Sequence, residues 1–324
     1  MSCCGGKPCA PAKEFYASKQ KTSDLASAKP PCASACPLSD PFPPSVNQAL
    51  QLVHEEVKQS YFGCGMPYPY AVEGTRILDL GSGTGRDVFL LAYLCGKEGE
   101  VVGVDMTPAM LEKSRAMIPY HAKKFGFQNV RFLQGTLEEL DKVEGLQPGS
   151  FDIIISNCVI NLTADKARVL RHAFNLLKPG GEMCFSDVYT DKPVPEAIRA
   201  DKLSWNECFS GALVWDEFLA MSQQIGFFKP LVSSESDYLA YTQELEQLLQ
   251  GLRFWSKTVR LLKPKCCAAV GKKLKYKGSI PDAPDSFPFT KDCKFIKGEE
   301  TKAPAEVASA ICQSRFATHF ELIQ

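Results

Sequence analysis

Ile77-Leu78-Asp79-Leu80-Gly81-Ser82-Gly83-Thr84-Gly85-Arg86-Asp87 is the stretch whose reading decides the fold. An apolar run ends beside an acid, three glycines alternate with hydroxyl residues, and an amphipathic segment, Val88 to Leu94, begins. This pattern predicts a buried parallel strand, a tight turn and the start of a helix. Glycine tolerates positive φ and leaves the backbone bare for a ligand to lie against. The helix start adds N–H donors and the positive end of a dipole. Such a turn is built to hold a nucleotide-like ligand.

Spacing narrows the choice of ligand. The dinucleotide fingerprint is G-x-G-x-x-G, with its second glycine against a pyrophosphate. Here the pattern is G-x-G-x-G, and Asp79 stands two residues ahead of Gly81. A carboxylate there is unwelcome beside a pyrophosphate but suits an amino group and a cationic sulfonium. Val101-Val102-Gly103-Val104-Asp105 reads as the second strand and places Asp105 to accept hydrogen bonds from ribose hydroxyls. S-adenosylmethionine satisfies both acids. The later turn Leu177-Lys178-Pro179-Gly180-Gly181 supports this reading over an ordinary glycine-rich turn.

From Thr75 the alternation of strand and helix signals is regular. Strands are expected near 76–80, 101–105, 129–134, 151–156 and 182–188, with helices between them. The implied architecture is a doubly wound α/β sheet with helices on both faces, where ligands gather beyond the strand C-termini. Thr136 and Leu137 fall at that edge after the third strand, near an adenine, and Asn157 and Cys158 fall there after the fourth. Thr107-Pro108 supplies a cap and a first-turn proline, and Pro119 should kink or end the helix that follows. Upstream, Ser45 and Gln48 have capping-box spacing, and Val46, Ala49, Leu50, Val53, Val57 and Tyr61 share one helical face. Downstream, a helix is expected from Trp215 to Ile225, closing at Gly226. From about 231 the pattern changes to a Leu-rich helix, Leu239 to Leu249, and a strand-like run, Arg253 to Leu262. The expected organisation is a flexible Cys- and Pro-rich segment (1–44), a methyl-donor domain (45–230) and a small accessory domain (231–324).

The chain carries 37 basic and 37 acidic residues and no basic block beyond Lys272-Lys273-Leu274-Lys275, which argues against a nucleic-acid partner. No apolar run approaches the roughly 20 residues of a membrane-spanning helix. The N-terminus lacks the apolar centre of a signal peptide. A cytoplasmic protein without membrane attachment is therefore expected. Fourteen cysteines is a high count for a chain of 324 residues. In a reducing compartment thiols at this density point to metal or metalloid binding, or to redox chemistry. Cys64 lies between two glycines, which reads as an exposed, adaptable loop. Cys158 ends the fourth strand beside the polar Asn157, and Cys208 precedes small residues and Gly211. Cys3, Cys4 and Cys9 read equally well as a soft-metal site or as incidental thiols of a tail.

Several motifs agree with one family. They are Val53-His54-Glu55-Glu56-Val57 followed by Tyr61-Phe62-Gly63-Cys64-Gly65, the glycine stretch itself, Ser156-Asn157-Cys158-Val159-Ile160-Asn161-Leu162, Phe185-Ser186-Asp187-Val188-Tyr189, and Glu207-Cys208 before Gly211-Ala212-Leu213. Together they closely resemble arsenite S-adenosylmethionine methyltransferases, from about Phe15 to Phe316. The glycine motif alone is shared by all class I methyltransferases, whereas the cysteine contexts are more specific. The resemblance implies a Rossmann-like class I sheet with a small C-terminal accessory domain and an arsenic-binding insertion.

It also implies a chemistry. Cys64, Cys158 and Cys208 would hold trivalent arsenic as a trithiolate, soft ligands for a soft centre. The arsenic lone pair would then attack the sulfonium methyl. The chain's task is to hold donor and acceptor at reacting distance with water excluded. No general base is needed, because the nucleophile has no proton to lose. Mono- and dimethylated arsenicals and arsenic detoxification follow from the resemblance. So do arsenite or its glutathione conjugates as substrate, a disulfide among the active cysteines, and thioredoxin or glutathione as the reductant. The family's fourth cysteine follows an Asp-Leu pair; here Asp24-Leu25 precedes both Cys32 and Cys36, and Cys32 is preferred. Cofactor residues carried over by position are Tyr61, Asp79, Gly81, Gly83, Gly85, Asp105, Met106, Thr136, Leu137 and Asn157. Two other readings stay open: a class I methyltransferase acting on a carbon or oxygen acceptor, and a thiol-rich protein that sequesters metalloids.

Overall fold

The computed structural model describes residues 42–60, 63–65, 67–201, 204–205, 208–238, 243–265 and 273–323. Cys32, Cys36, the cluster Cys3, Cys4 and Cys9, Tyr61, Glu207, Cys266 and Cys267 lie outside the described residues.

Five parallel strands form the body of one sheet: β1 (Arg76–Leu80), β2 (Glu100–Asp105), β3 (Val130–Gln134), β4 (Phe151–Asn157) and β5 (Leu177–Thr190). The short β6 (Leu213–Val214) joins β5 in parallel. β7 (Leu231–Asp237) and β8 (Phe254–Leu262) close the far side, β8 antiparallel to both β5 and β7. The order is β3-β2-β1-β4-β5-β8-β7. Each expected parallel strand is present.

Two-residue alternation gives the sheet two cores. Ile77, Ile153 and Ile155 face Val88, Phe89, Leu91 and the helix Pro44–Leu52. Leu78, Leu80 and Ile154 face the helices Lys166–Leu176 and Trp215–Ile225, through Val169, Leu170, Ala173 and Phe218. The latter helix closes at Gly226 with φ 118°, as its sequence predicts. Pro119 sits in the first turn of Ile118–Phe125, separated from Pro108–Ala116 by Met117, so the expected break occurs.

Several sequence expectations need correction. The helix Arg86–Cys95 is buried along nearly its whole surface, not amphipathic, because Pro44–Leu52 covers the side turned away from the sheet. The expected continuous helix from Ser45 to Tyr61 is two helices, Pro44–Leu52 and Glu55–Gln59, broken at Val53–His54. His54 leaves the helix because its N–H donates to Nε2 of the buried His121 (3.1 Å). The capping box is not formed either. Ser45 gives its amide and hydroxyl to the Asp282 carboxylate, from a distant part of the chain. The sheet also extends past residue 230: β7 and β8, expected in an accessory domain, are its antiparallel edge.

Beyond the sheet, β9 (Lys273–Tyr276) precedes the hairpin β10 (Ser286–Thr290) and β11 (Cys293–Ile296). β9 lies between β12 (Glu300–Lys302) and β13 (Phe320–Ile323). Their core is aromatic, built on Tyr276, Phe287, Phe289, Phe295, Phe316 and Phe320. A buried ion cluster ties it to the sheet. Glu182 of β5 accepts from Arg260 of β8 (2.5 Å) and from Arg315, and Arg315 also donates to the Tyr70 (2.7 Å) and Ala71 (2.9 Å) carbonyls. Burial pushes the Glu182 carboxyl up, but the two guanidiniums outweigh it and hold it below its ordinary range. Among the described residues no helix is long and apolar enough to cross a membrane.

Candidate active site

Strand order reverses between β1 and β4, and the loops leaving β1 to β4 enclose a cleft of about 1120 Å³, part of it open to solvent. Gly81 and Gly83 line it, with φ of 78° and 53°. Gly81 must be bare: a Cβ there would stand 2.6 Å from the Val159 methyls. Asp79, Asp105, Met106, Thr136, Leu137, Asn157 and Cys158 also line the cleft, as the sequence predicted. Gly85 does not. It caps the helix Arg86–Cys95 with φ 90°, and a Cβ would meet the Phe132 ring at 2.6 Å, so its role is packing.

Four acids line the cleft, Asp79, Asp87, Asp105 and Glu138, beside Arg86. Asp105 accepts the Gly83 amide (2.9 Å) and the Thr107 amide (2.8 Å), which locks the second strand's end to the glycine turn. Asp87 accepts from the Tyr68 hydroxyl (2.9 Å) and from Arg86 Nε (2.9 Å). The Asp79 carboxylate receives no hydrogen bond from the described residues, although it is buried at the cleft wall. Burial, then Asp87 and Asp105, push its carboxyl well above the usual range, against the pull of Arg86. Burial raises Asp105 as well, with the Thr107 and Gly83 amides opposing it. A cleft of this kind is completed by a cation that also carries hydrogen-bond donors. The ammonium and sulfonium of S-adenosylmethionine meet that requirement, with Asp105 retaining acceptor capacity for ribose hydroxyls.

Two of the three predicted cysteines meet at this cleft, and the third lies behind them. Cys64 and Cys158, 94 residues apart, are joined by a disulfide with Cα atoms 5.6 Å apart. Cys208 Sγ lies 3.6 Å from the Cys158 carbonyl oxygen. Cys158 touches the cleft, whereas Cys64 and Cys208 are buried behind it among Leu162, Val188 and Phe209, so the exposed loop expected around Cys64 is a seated one. Among the described residues only Ala71, Cys158 and Cys208 combine a side chain with positive φ, at 53°, 55° and 64°. Left-handed backbone costs an L-residue roughly 1–2 kcal/mol, and such strain collects at functional sites. Gly211 lets the Cys208 loop close on the loop after β4: a Cβ there would stand 1.9 Å from the Asn161 carbonyl oxygen.

Comparison with known proteins bears on what this arrangement serves. Residues 71–246 match the methyltransferase domain family, and residues 270–324 match the arsenite methyltransferase C-terminal domain. An arsenite methyltransferase of Aquipseudomonas alcaligenes is 40% identical over 94% of this chain and 87% of its own length. The chain belongs to the arsenite methyltransferase family. The Homo sapiens arsenite methyltransferase is 41% identical over 86% of this chain and 75% of its own length. Among solved structures, CrArsM, an arsenic(III) S-adenosylmethionine methyltransferase from Chlamydomonas reinhardtii, superposes with a TM-score of 0.82. It is 40% identical, with 87% of this chain and 96% of that one covered.

Two residues of this arsenite methyltransferase family member escaped the sequence reading as site residues. Asp87 is a further acid of the cleft, and its signal was its place two residues after the last glycine of the turn. Asp187 of β5 brings a carboxylate oxygen within 4.8 Å of the Cys64 and Cys158 sulfurs. It accepts the Asn161 amide (3.0 Å) and the Val188 amide (2.9 Å). Burial pushes it up to about 7, with those amides opposing. No spacing rule could pair Asp187 with Cys64, since the sheet alone unites them.

Proposed function

We infer that this chain methylates arsenite by gathering Cys64, Cys158 and Cys208 around trivalent arsenic at the inner end of the cleft. S-adenosylmethionine, when bound, supplies an electrophilic methyl on a positively charged sulfur. The observation that carries the reading is the joined pair Cys64 and Cys158, with Cys208 Sγ 3.6 Å from the Cys158 carbonyl oxygen, at a cleft lined by acids.

In this reading each residue has a physical task. Asp79 holds the cofactor's cationic end, Asp105 its ribose, Thr136 and Leu137 its base, and Gly81 and Gly83 let its backbone-facing side approach closely. The thiolates keep arsenic trivalent, with its lone pair turned toward the cleft and water excluded. Transfer of a methyl cation to that lone pair raises arsenic formally to the pentavalent state. Two As–S bonds then break as one S–S bond forms, which leaves two electrons on arsenic; it returns to the trivalent state on the remaining thiolate, and water fills its open position with loss of a proton. Cys64 and Cys158 are the pair for that step. An external dithiol or glutathione supplies two electrons and two protons to reopen the bridge. We assign this cycle to the cytoplasm, where reduced thioredoxin and glutathione are available, and detoxification of arsenic is its purpose. The fourth cysteine of the cycle is Cys32 in preference to Cys36, acting by thiol exchange with the Cys64–Cys158 bridge before the external reductant.

The test uses the full chain with arsenite, labelled methyl donor and a thiol reductant, followed by speciation of the product. Cys158→Ser and Cys208→Ser are expected to lose methylation while still binding S-adenosylhomocysteine. Methylation at the parent rate by either variant would refute the trithiolate.

A further inference from the structure

The three cysteines are not held in the same way. The Cys158 amide donates to the Ser186 carbonyl (2.9 Å) and the Cys208 amide to the Trp205 carbonyl (3.1 Å), so main-chain partners fix both. Cys64 is fixed by side chains. Its amide donates to Asn157 Oδ1 (3.1 Å), and its carbonyl accepts the Ser256 hydroxyl (2.8 Å). Asn157 Nδ2 also reaches the Gly65 carbonyl (2.9 Å). Gly65 lies so close to β5 that a Cβ would stand 2.4 Å from Ser186 Oγ, itself bonded to Thr258 Oγ1 (2.8 Å).

Ser256 reaches this position because β8 runs against β5. Its N-terminal half lies beside the C-terminal end of β5, with Ser256 opposite Val188 and Thr258 opposite Ser186. The antiparallel strand thus delivers a hydroxyl to the edge where the parallel strands deliver the thiol loops. The need for such an anchor follows from the sequence. Gly63 and Gly65 flank Cys64, and glycine loses more backbone freedom on ordering than any other residue. A cysteine in that context meets two other thiols only if its own peptide groups are tied down.

We propose that Ser256 is a positioning residue for arsenic capture, fixing the Cys64 carbonyl so that its sulfur meets those of Cys158 and Cys208. The proposal rests on the three-thiol reading above. Ser256 is the informative member of the clamp, because Asn157 also lines the cofactor cleft and Ser256 does not.

The experiment titrates the reduced full-length protein with arsenite, following the ultraviolet absorbance of arsenic–thiolate bonds. Calorimetry with S-adenosylhomocysteine runs in parallel. Loss of one neutral hydrogen bond predicts arsenite binding weakened roughly three- to tenfold in Ser256→Ala, with a matching rise in KM for arsenite. Affinity for S-adenosylhomocysteine should be unchanged. Ser256→Thr, which keeps the hydroxyl, should recover arsenite binding, and the isosteric Ser256→Val should not. The Thr and Val pair decides the matter if the Ala variant does not fold. Unchanged arsenite binding in Ser256→Val overturns the proposal, as does an equal loss for both ligands. Failure of the underlying reading looks different: the absorbance band of the parent would survive Cys208→Ser.

Discussion

Asp79→Asn separates the two demands placed on the cleft. The wild-type carboxylate is buried beside Asp87 and Asp105 and receives no hydrogen bond from the described residues. Its folded pKa is raised above its unfolded value, so its ionised form opposes folding above the ordinary carboxylate range. Asparagine keeps the shape and removes the charge, so the cofactor-free variant is expected to melt higher than the parent at neutral pH. The same change deletes the acid available to a cationic ligand. A hydrogen bond to a charged group is worth about 1.5–3 kcal/mol, which predicts S-adenosylmethionine binding weakened roughly ten- to a hundred-and-fifty-fold. A second sign follows. Binding of a cation favours the ionised carboxyl, so the parent should release protons on binding and lose affinity as pH falls, whereas the variant should do so less. Melting curves without ligand and calorimetry in buffers of different ionisation enthalpy measure all three effects. A variant that melts lower than the parent and binds the cofactor equally well would refute the reasoning.

Other outcomes follow from single contacts. Gly211→Ala forces a Cβ to 1.9 Å from the Asn161 carbonyl oxygen and should push the Cys208 loop away. Arsenite methylation is then expected to fall at least tenfold, with S-adenosylhomocysteine binding within twofold of the parent, as kinetics and calorimetry would show. His121 donates Nδ1–H to the Met117 carbonyl (2.8 Å), accepts the His54 amide at Nε2 and stacks on Phe89. Burial chiefly holds it down at about 4, against 6.5 for an ordinary histidine. The unfolded chain therefore takes up the proton first, and the stability His121 contributes is complete above pH 6.5 and lost as pH falls toward 4. Urea midpoints across that window should fall less steeply in His121→Gln than in the parent.

The parallel half of the fold was written in the sequence. β1, β2, β4 and the turn after β1 have local signatures: apolar runs buried on both faces, then glycines where positive φ or close approach leaves no alternative. The acids at 79 and 105 were legible for the same reason, since each stands in the last two residues of a strand whose register is fixed by its neighbours. Spacing also marked the breaks at Pro119 and Gly226. What failed depended on partners far along the chain. Ser45 has the sequence of a helix cap, yet Asp282 takes its hydroxyl. The periodicity through Val53 is helical, yet His121 draws the His54 amide out of the helix. β7 and β8 read as the start of another domain because nothing local says that β8 lies against β5.

The sequence by itself determined which chemistry this protein carries: a methyl-donor turn and soft thiols in contexts shared with arsenite methyltransferases. Only the tertiary structure decided the geometry of that chemistry. It joined Cys64 to Cys158, set Asp187 beside them, left the Asp79 carboxylate without a hydrogen bond from the described residues, and brought Ser256 to the Cys64 carbonyl. The reason is physical: strand and turn propensities act over a few residues, whereas these contacts span 29 to 192 positions and exist only once the sheet has closed.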